Sequence, residues 1–534
     1  MAKGPPEAIR TIPDALASRV SEAPERTFLH HGDERLTYRE LDREANAVAN
    51  ALRAEGVQRG DHVCLSLYNS PAYLATLFAL AKLGAVAAPI DTRFTGDTLA
   101  YVLSSADADV LFVDARTVGA YEAVRDRIPG VTSEFFVGDG DDGGYSTFAD
   151  LRAGASEEPP AAEVSETDTA SVTYVQRHAS ERPRGVLLPH YSYVNTGWEA
   201  GRKLFAFGPE DRVFTTLPLY SIFTLQLGVM GTLLADAEFV LDGTFDPDRF
   251  WDRVEAHDAT AFLYLSRMLP VLYNQERGPA GGAESVERAI GHGFGFDTDE
   301  ALIRNFEERF DITVLEGYGV TEVATIGTYN HPGDRRPGSV GKPVSYVDVR
   351  VVDDQDHPVG TGETGEIVVR STRPNTMMQG YYDDPEQTVE TWRNQWIHTG
   401  DMGYLDADGY LYFVAKRENS IYRGTVAGRI SSLEIESVID AHPAVAESAV
   451  VGVTNEAGHE EVKATLVPAD GATLDPVEVC RHCERQLPYL KVPRFIEIRG
   501  ELPRSPAGKV HKETLREAGV RDAWDRESGY ELSR

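Results

Sequence analysis

Residues 62–115 alternate short apolar runs with amphipathic stretches. The pattern predicts a strand from His62 to Tyr68, a helix over Pro71 to Leu83, and a second strand from Val86 to Ile90. A helix over Thr95 to Ser105 and a strand from Val110 to Val113 follow, which makes a βαβαβ unit and a parallel sheet. A second α/β stretch runs from Val213 to Ile326. Between the two, Gly138 to Ala162 is rich in Gly, Asp, Glu and Pro and reads as a surface loop. Residues 338–413 carry shorter strand patterns with turn signals such as Asp406-Ala407-Asp408-Gly409, as in a small β-rich subdomain. From about Ser431 helices and strands alternate again on a smaller scale. The expected fold is therefore α/β: a large N-terminal domain of two α/β subdomains plus the β-rich one, then a smaller, mobile α+β C-terminal domain. The longest apolar stretch, Leu74 to Ile90, is interrupted by Lys82 and reads as a buried helix and strand, not a membrane span. The first residues lack an apolar signal core, so the expected location is the cytoplasm.

At 534 residues and 42% apolar content, the chain is too long for one core and needs two or more domains. Acidic residues exceed basic ones by 85 − 52 = 33, and only nine of the 52 basic residues are lysines. The excess is spread along the chain, which argues against nucleic-acid or anionic-membrane partners and suits a high-salt, halophilic cytoplasm. Three cysteines make no disulfide framework, and Cys480-Arg481-His482-Cys483 is a lone pair read as two ordinary helix residues at i and i+3.

Three motifs sit in a fixed order: Tyr318-Gly319-Val320-Thr321-Glu322, Thr399-Gly400-Asp401, and Pro503-Arg504-Ser505-Pro506-Ala507-Gly508-Lys509. Together they resemble the adenylate-forming superfamily of acyl-CoA synthetases, peptide-synthetase adenylation domains and luciferases. Asn69-Ser70-Pro71, Gly365-Glu366-Ile367 and Lys491-Val492-Pro493 extend the likeness over most of the chain. The segments 245–251 and 413–419 look most like the crotonobetaine/carnitine-CoA ligase branch.

The resemblance implies joining of a carboxylic acid to the α-phosphate of ATP, with Mg²⁺, and transfer of the acyl group to CoA, in a setting such as fatty acid metabolism. It implies that Tyr318, flanked by Gly317 and Gly319, stacks on adenine. Thr321 would bond the α-phosphate and Glu322 would hold the metal. Asp401 would accept the ribose hydroxyls, with Lys416 beside the ribose where the family has arginine. Lys509 would bring its charge to the reacting oxygens, which suits a long, swinging stem. Tyr220, Ser221, Phe223 and Phe294 would line the acyl pocket. Glu418 would be the hinge, dividing the chain into an AMP-binding domain, residues 1–417, and a small domain, residues 418–534.

One part departs from the family. Where a glycine-rich loop should converge backbone N–H groups on phosphate, the chain reads Val175-Gln176-Arg177-His178-Ala179-Ser180-Glu181-Arg182-Pro183-Arg184-Gly185. Without glycine the usual nest is costly to form. Two readings stand. Arg177, Arg182 and Arg184 take over phosphate binding through their side chains, or the loop is a relic, a solvated surface loop whose arginines point to solvent or pair with surplus carboxylates. With the second reading goes a second function, a nucleotide- or acyl-binding regulatory protein. The turn after Arg423 is also longer than in the family, and Ser221 stands where a histidine is usual.

Overall fold

A computed structural model describes residues 4–138, 143–176, 182–265, 268–275, 285–292, 300–422, 429–454, 460–504 and 510–528. The predicted βαβαβ unit forms the middle of an eight-stranded sheet, with His62–Ser66, Val86–Pro89 and Ala108–Asp114 paired in parallel. The helix Pro71–Leu83 falls where expected, for local reasons. The Ser70 hydroxyl accepts from Tyr73 N–H at 3.2 Å, Pro71 opens the first turn, and Gly84 closes the last at φ +69°. Almost every residue of this helix is buried, because the main core closes on it.

The second α/β stretch forms a nine-stranded sheet whose centre, from Thr313–Tyr318 through Arg288–His292, Ala261–Leu265, Arg212–Thr215 and Glu238–Leu241, is parallel. The two sheets share one large core, and a second cluster covers the other face of the eight-stranded sheet. Val347–Val352, Gly365–Ser371, Ile397–Leu405 and Leu411–Lys416 form the β-rich subdomain as one antiparallel sheet. The C-terminal part has its own sheet of Val445–Thr454, Glu460–Pro468, Phe495–Ile498 and Trp524–Asp525, and its own core.

One expectation needs correction. The stretch 138–162 contains a short strand, Ser146–Thr147, and a helix, Phe148–Arg152. Their signal was Thr147-x-x-Asp150, a reciprocal capping box, hidden among glycines and acids. Cys480 and Cys483 lie buried on the helix Pro476–Glu484 as free thiols, which burial pushes up to about 12. Among the described residues no helix is long and apolar enough to cross a membrane.

Candidate active site

The central strands of the nine-stranded sheet end together, and a cavity of about 310 Å³ opens at their carboxyl ends, the usual ligand position on a parallel sheet. Leu265 and His292 are the last residues of their strands, and Gly319 follows directly on Thr313–Tyr318. Val175, ending a strand of the other sheet, closes one side, while Thr399 and Lys416 of the β-rich sheet close another. Of the predicted residues, Gly319, Thr321, Glu322, Ser221, Phe223 and Lys416 all line this one space.

The two glycines around Tyr318 are required by packing. A Cβ on Gly317 would lie 2.1 Å from the Tyr329 ring, and one on Gly319 would lie 1.8 Å from the Thr325 carbonyl oxygen. The chain after Gly319 therefore folds back tightly over it. This places Thr321 and the buried Glu322 in the cavity wall, with Ala324 and Thr325 at φ +54° and +74°. For a β-branched residue such a φ is strained, a condition that gathers at functional sites. The Thr325 hydroxyl is buried in the cavity wall and has no hydrogen-bond partner among the described residues. Glu322 Oε1 accepts from the Tyr381 hydroxyl at 2.7 Å. Glu322 and Thr321, both in the cavity wall, offer hard oxygen atoms of the kind that would suit Mg²⁺.

Asp401 owes its position to an irregularity in the sheet. Glu366 pairs with Met402 and Val368 with His398, so Thr399, Gly400 and Asp401 together oppose Ile367 alone. This bulge turns the strand and re-aims its side chains. The Thr399 hydroxyl donates to Ile367 O at 2.7 Å, and Gly400, at φ +71°, gives its N–H to Glu366 Oε1 at 3.1 Å. Asp401, 1% exposed, takes the Tyr318 hydroxyl on Oδ2 at 2.9 Å and Lys416 Nζ on Oδ1 at 3.3 Å. Burial, with Asp401 next, pushes the Tyr318 phenol well above its ordinary range, so it remains the donor. The Tyr318 ring is fully buried and lies 6.2 Å from Phe413 at 31°, so stacking on adenine requires that it be uncovered.

Other expected residues lie elsewhere. Tyr220 is not in the cavity lining, and its phenol is raised by burial and by the charge of Asp91. Arg184, expected at the nucleotide, pairs with Asp384 at 3.4 Å, because its strand runs antiparallel to Thr169–Val175 beside the helix that Asp384 caps. The Arg182 guanidinium lies 4.8 Å over the Tyr101 ring. Arg184 thus meets a carboxylate and Arg182 an aromatic face, and neither is in the cavity lining. Arg177, Phe294 and Lys509 lie outside the described residues, as does the side chain of Glu418, whose backbone belongs to the turn Arg417–Asn419.

Ile222, Leu265 and Thr325 line the cavity without belonging to any motif read in the sequence, whereas Gln176 comes from the altered loop and His292 from the glycine-bounded segment that begins at Gly291. His292 meets Phe223 edge-to-face at 4.7 Å and is held down to about 3 by burial, so that wall is uncharged. A histidine after Gly291 was visible in sequence, but only the pairing of its strand with Thr313–Tyr318 puts it in the wall of this cavity.

The AMP-binding enzyme family model matches residues 16–382, and the AMP-binding enzyme C-terminal domain matches residues 434–509. The chain belongs to the AMP-binding enzyme family. A crotonobetaine/carnitine–CoA ligase of Salmonella heidelberg is 32% identical over 487 residues, covering 90% of this chain and 93% of the relative. One from Salmonella typhi is 33% identical over 490 residues, again 90% and 93%. Among solved structures, an anthranilate CoA ligase in complex with anthranoyl-AMP superposes with a TM-score of 0.82 at 27% identity, covering 96% of this chain and 98% of that one. ATP-bound MatB from Rhodopseudomonas palustris gives 0.79 at 27%, covering 95% and 98%. The chain is thus an adenylate-forming acid–thiol ligase by family.

Proposed function

We propose that the protein activates an apolar carboxylic acid with ATP and passes the acyl group to CoA. The observation that carries this reading is the meeting of Thr321, Glu322, Thr399 and Lys416 in one cavity, with Asp401 directly behind Lys416. Beside them, Phe223, Leu265 and the uncharged His292 form a wall that favours an apolar acyl group over an ionised one. Glu322 would hold Mg²⁺, which when bound neutralises phosphate charge. Thr321 would donate to the α-phosphate, and Asp401 would accept from the ribose hydroxyls, for which an ionised carboxylate is well suited. Lys509 would bring a point charge to the forming acyl-phosphate bond, lowering the cost of charge developing there. Gln176 and Thr321 would share phosphate recognition with residues 177–181, since Arg182 and Arg184 are engaged elsewhere.

Two domains meeting at residues 417 and 418 are part of the same proposal, supported by the separate C-terminal core and the two family matches. The net charge of −33 supports work in a salt-rich cytoplasm. The relatives named for crotonobetaine, carnitine and anthranilate point to small acids as a first panel. ATP–pyrophosphate exchange across that panel and across fatty acids, at molar and at low salt, tests the reading. Exchange with an apolar acid, followed by CoA thioester formation, is expected; nucleotide binding without exchange for any acid would overturn it.

A further inference from the structure

Glu366 holds the Asp401 bulge with one oxygen and the chain leading into the C-terminal domain with the other. The residue is 4% exposed. Oε1 accepts the Gly400 N–H at 3.1 Å, a donor that the bulge has taken out of the sheet's pairing. Oε2 receives His398 Nδ1, an Arg393 guanidinium nitrogen and Arg417 Nη1, each at 3.1 Å. Arg417 is fixed on its other side by Asp354, and Arg393 by Asp356 at 3.4 Å. The preceding residue, Lys416, reaches Asp401 itself. Two consecutive side chains therefore grip the two ends of one bulge: Lys416 through the Asp401 carboxylate, Arg417 through Glu366 and the Gly400 backbone.

A buried carboxylate is costly unless each lone pair is used, and here both oxygens are. The arrangement has a consequence beyond stability. A ligand drawing on Asp401 must shift Lys416 or the bulge, and any shift of Gly400 moves the oxygen pair that orients Arg417. We propose that Glu366 is a positioning residue that couples nucleotide occupancy at Asp401 to the chain segment 416–419, and so to the placing of the C-terminal domain. This rests on the proposed reading of Asp401 as the ribose acceptor.

Hydrogen exchange on the full-length protein with and without AMP, together with AMP calorimetry, tests it. In the parent, AMP is expected to slow exchange across residues 411–422 at least about fivefold, the low end of a two-site coupling. Glu366→Gln keeps an acceptor for Gly400 but loses the charge that holds the cations. It is expected to bind AMP within a few-fold while losing that protection, and to slow acyl-AMP formation more than acyl transfer to CoA. Arg417→Gln, at a partly exposed residue that leaves the Gly400 bond intact, provides the second variant with the same expected loss. Protection that persists in both variants, or half-reactions slowed equally, would overturn the coupling. Failure of the parent to bind AMP would overturn the functional reading itself, whereas AMP binding without protection at 411–422 overturns this inference alone.

Discussion

Lys416 and Asp401 lie directly opposite one another on neighbouring antiparallel strands, and their side chains meet with Nζ 3.3 Å from Oδ1. In a chain with only nine lysines, a lysine at this position places one compact charge against a carboxylate that already takes a phenol. The amine is nearly half exposed, so solvent screens much of its attraction. Lys416→Ala is expected to weaken AMP binding about tenfold, the low end for a charge-assisted bond, while Lys416→Arg retains most of it. Calorimetry with AMP decides; unchanged affinity in the alanine variant would remove Lys416 from the ribose site.

Lys509 is expected to act in the chemical step and not in binding. Lys509→Ala should lower acyl-AMP formation by about two orders of magnitude, as does the loss of one oriented electrostatic contact. AMP affinity should hold. Exchange activity equal to the parent's would place the reacting charge elsewhere.

Part of this architecture was legible because its causes are local. The helix Pro71–Leu83 has its cap, its proline and its terminal glycine within the same stretch of chain. Glycines at 317 and 319 also mark positions that admit nothing larger. The Asp401 bulge was legible only as a motif. Nothing in Thr399-Gly400-Asp401 says that three residues will oppose one, since that register depends on Gly365–Ser371 far along the chain. Tyr220 shows the same kind of limit: it adjoins Ser221 in the chain, yet only Ser221 is in the cavity lining. Arginines counted as phosphate ligands were drawn off by Tyr101 and Asp384, partners brought close only by the tertiary fold.

Thr325 holds a strained backbone and a buried hydroxyl without a partner, both in the cavity wall. Thr325→Val keeps the shape and removes the hydroxyl. If the hydroxyl serves a bound ligand, the KM of the acid or of ATP should rise roughly three- to tenfold, the span of an ordinary hydrogen bond. Stability should stay level or improve, because an unsatisfied polar atom is lost. A variant with lower stability and unchanged KM would make the hydroxyl purely structural.

Arg182 and Arg184 are already committed, one to an aromatic face and one to a carboxylate. The double variant Arg182→Ala/Arg184→Ala should therefore bind ATP and pyrophosphate as the parent does, apart from a small loss of stability. Arg177→Ala is the informative companion. If its side chain replaces the lost N–H cradle, ATP binding weakens by roughly 1.5–3 kcal/mol while AMP binding is spared, because AMP lacks the β- and γ-phosphates. Weakened ATP binding in the double variant would contradict the packing described for its two arginines.

Two buried histidines set a pH dependence of stability. Burial holds His190 down to about 4 and His292 down to about 3, against about 6.5 in an unfolded chain. Between those values and pH 6.5 the unfolded chain binds protons that the native state does not, so stability rises with pH and is lost as pH falls below 6.5. At pH 5 each histidine accounts for about 2 kcal/mol of that loss, on the order of 1.36 kcal/mol per unit. His190 Nδ1 accepts the Ile12 N–H at 3.4 Å, an interaction that an asparagine oxygen can replace. Glu436 and Asp440, raised by burial, work in the opposite direction over part of this range, but equally in parent and variant. Denaturant unfolding at pH 7 and pH 5, at fixed molar salt, should therefore show a smaller drop for His190→Asn than for the parent, by about 2 kcal/mol. An equal drop in both proteins would mean that His190 is protonated in the native state and that its burial does not govern its charge.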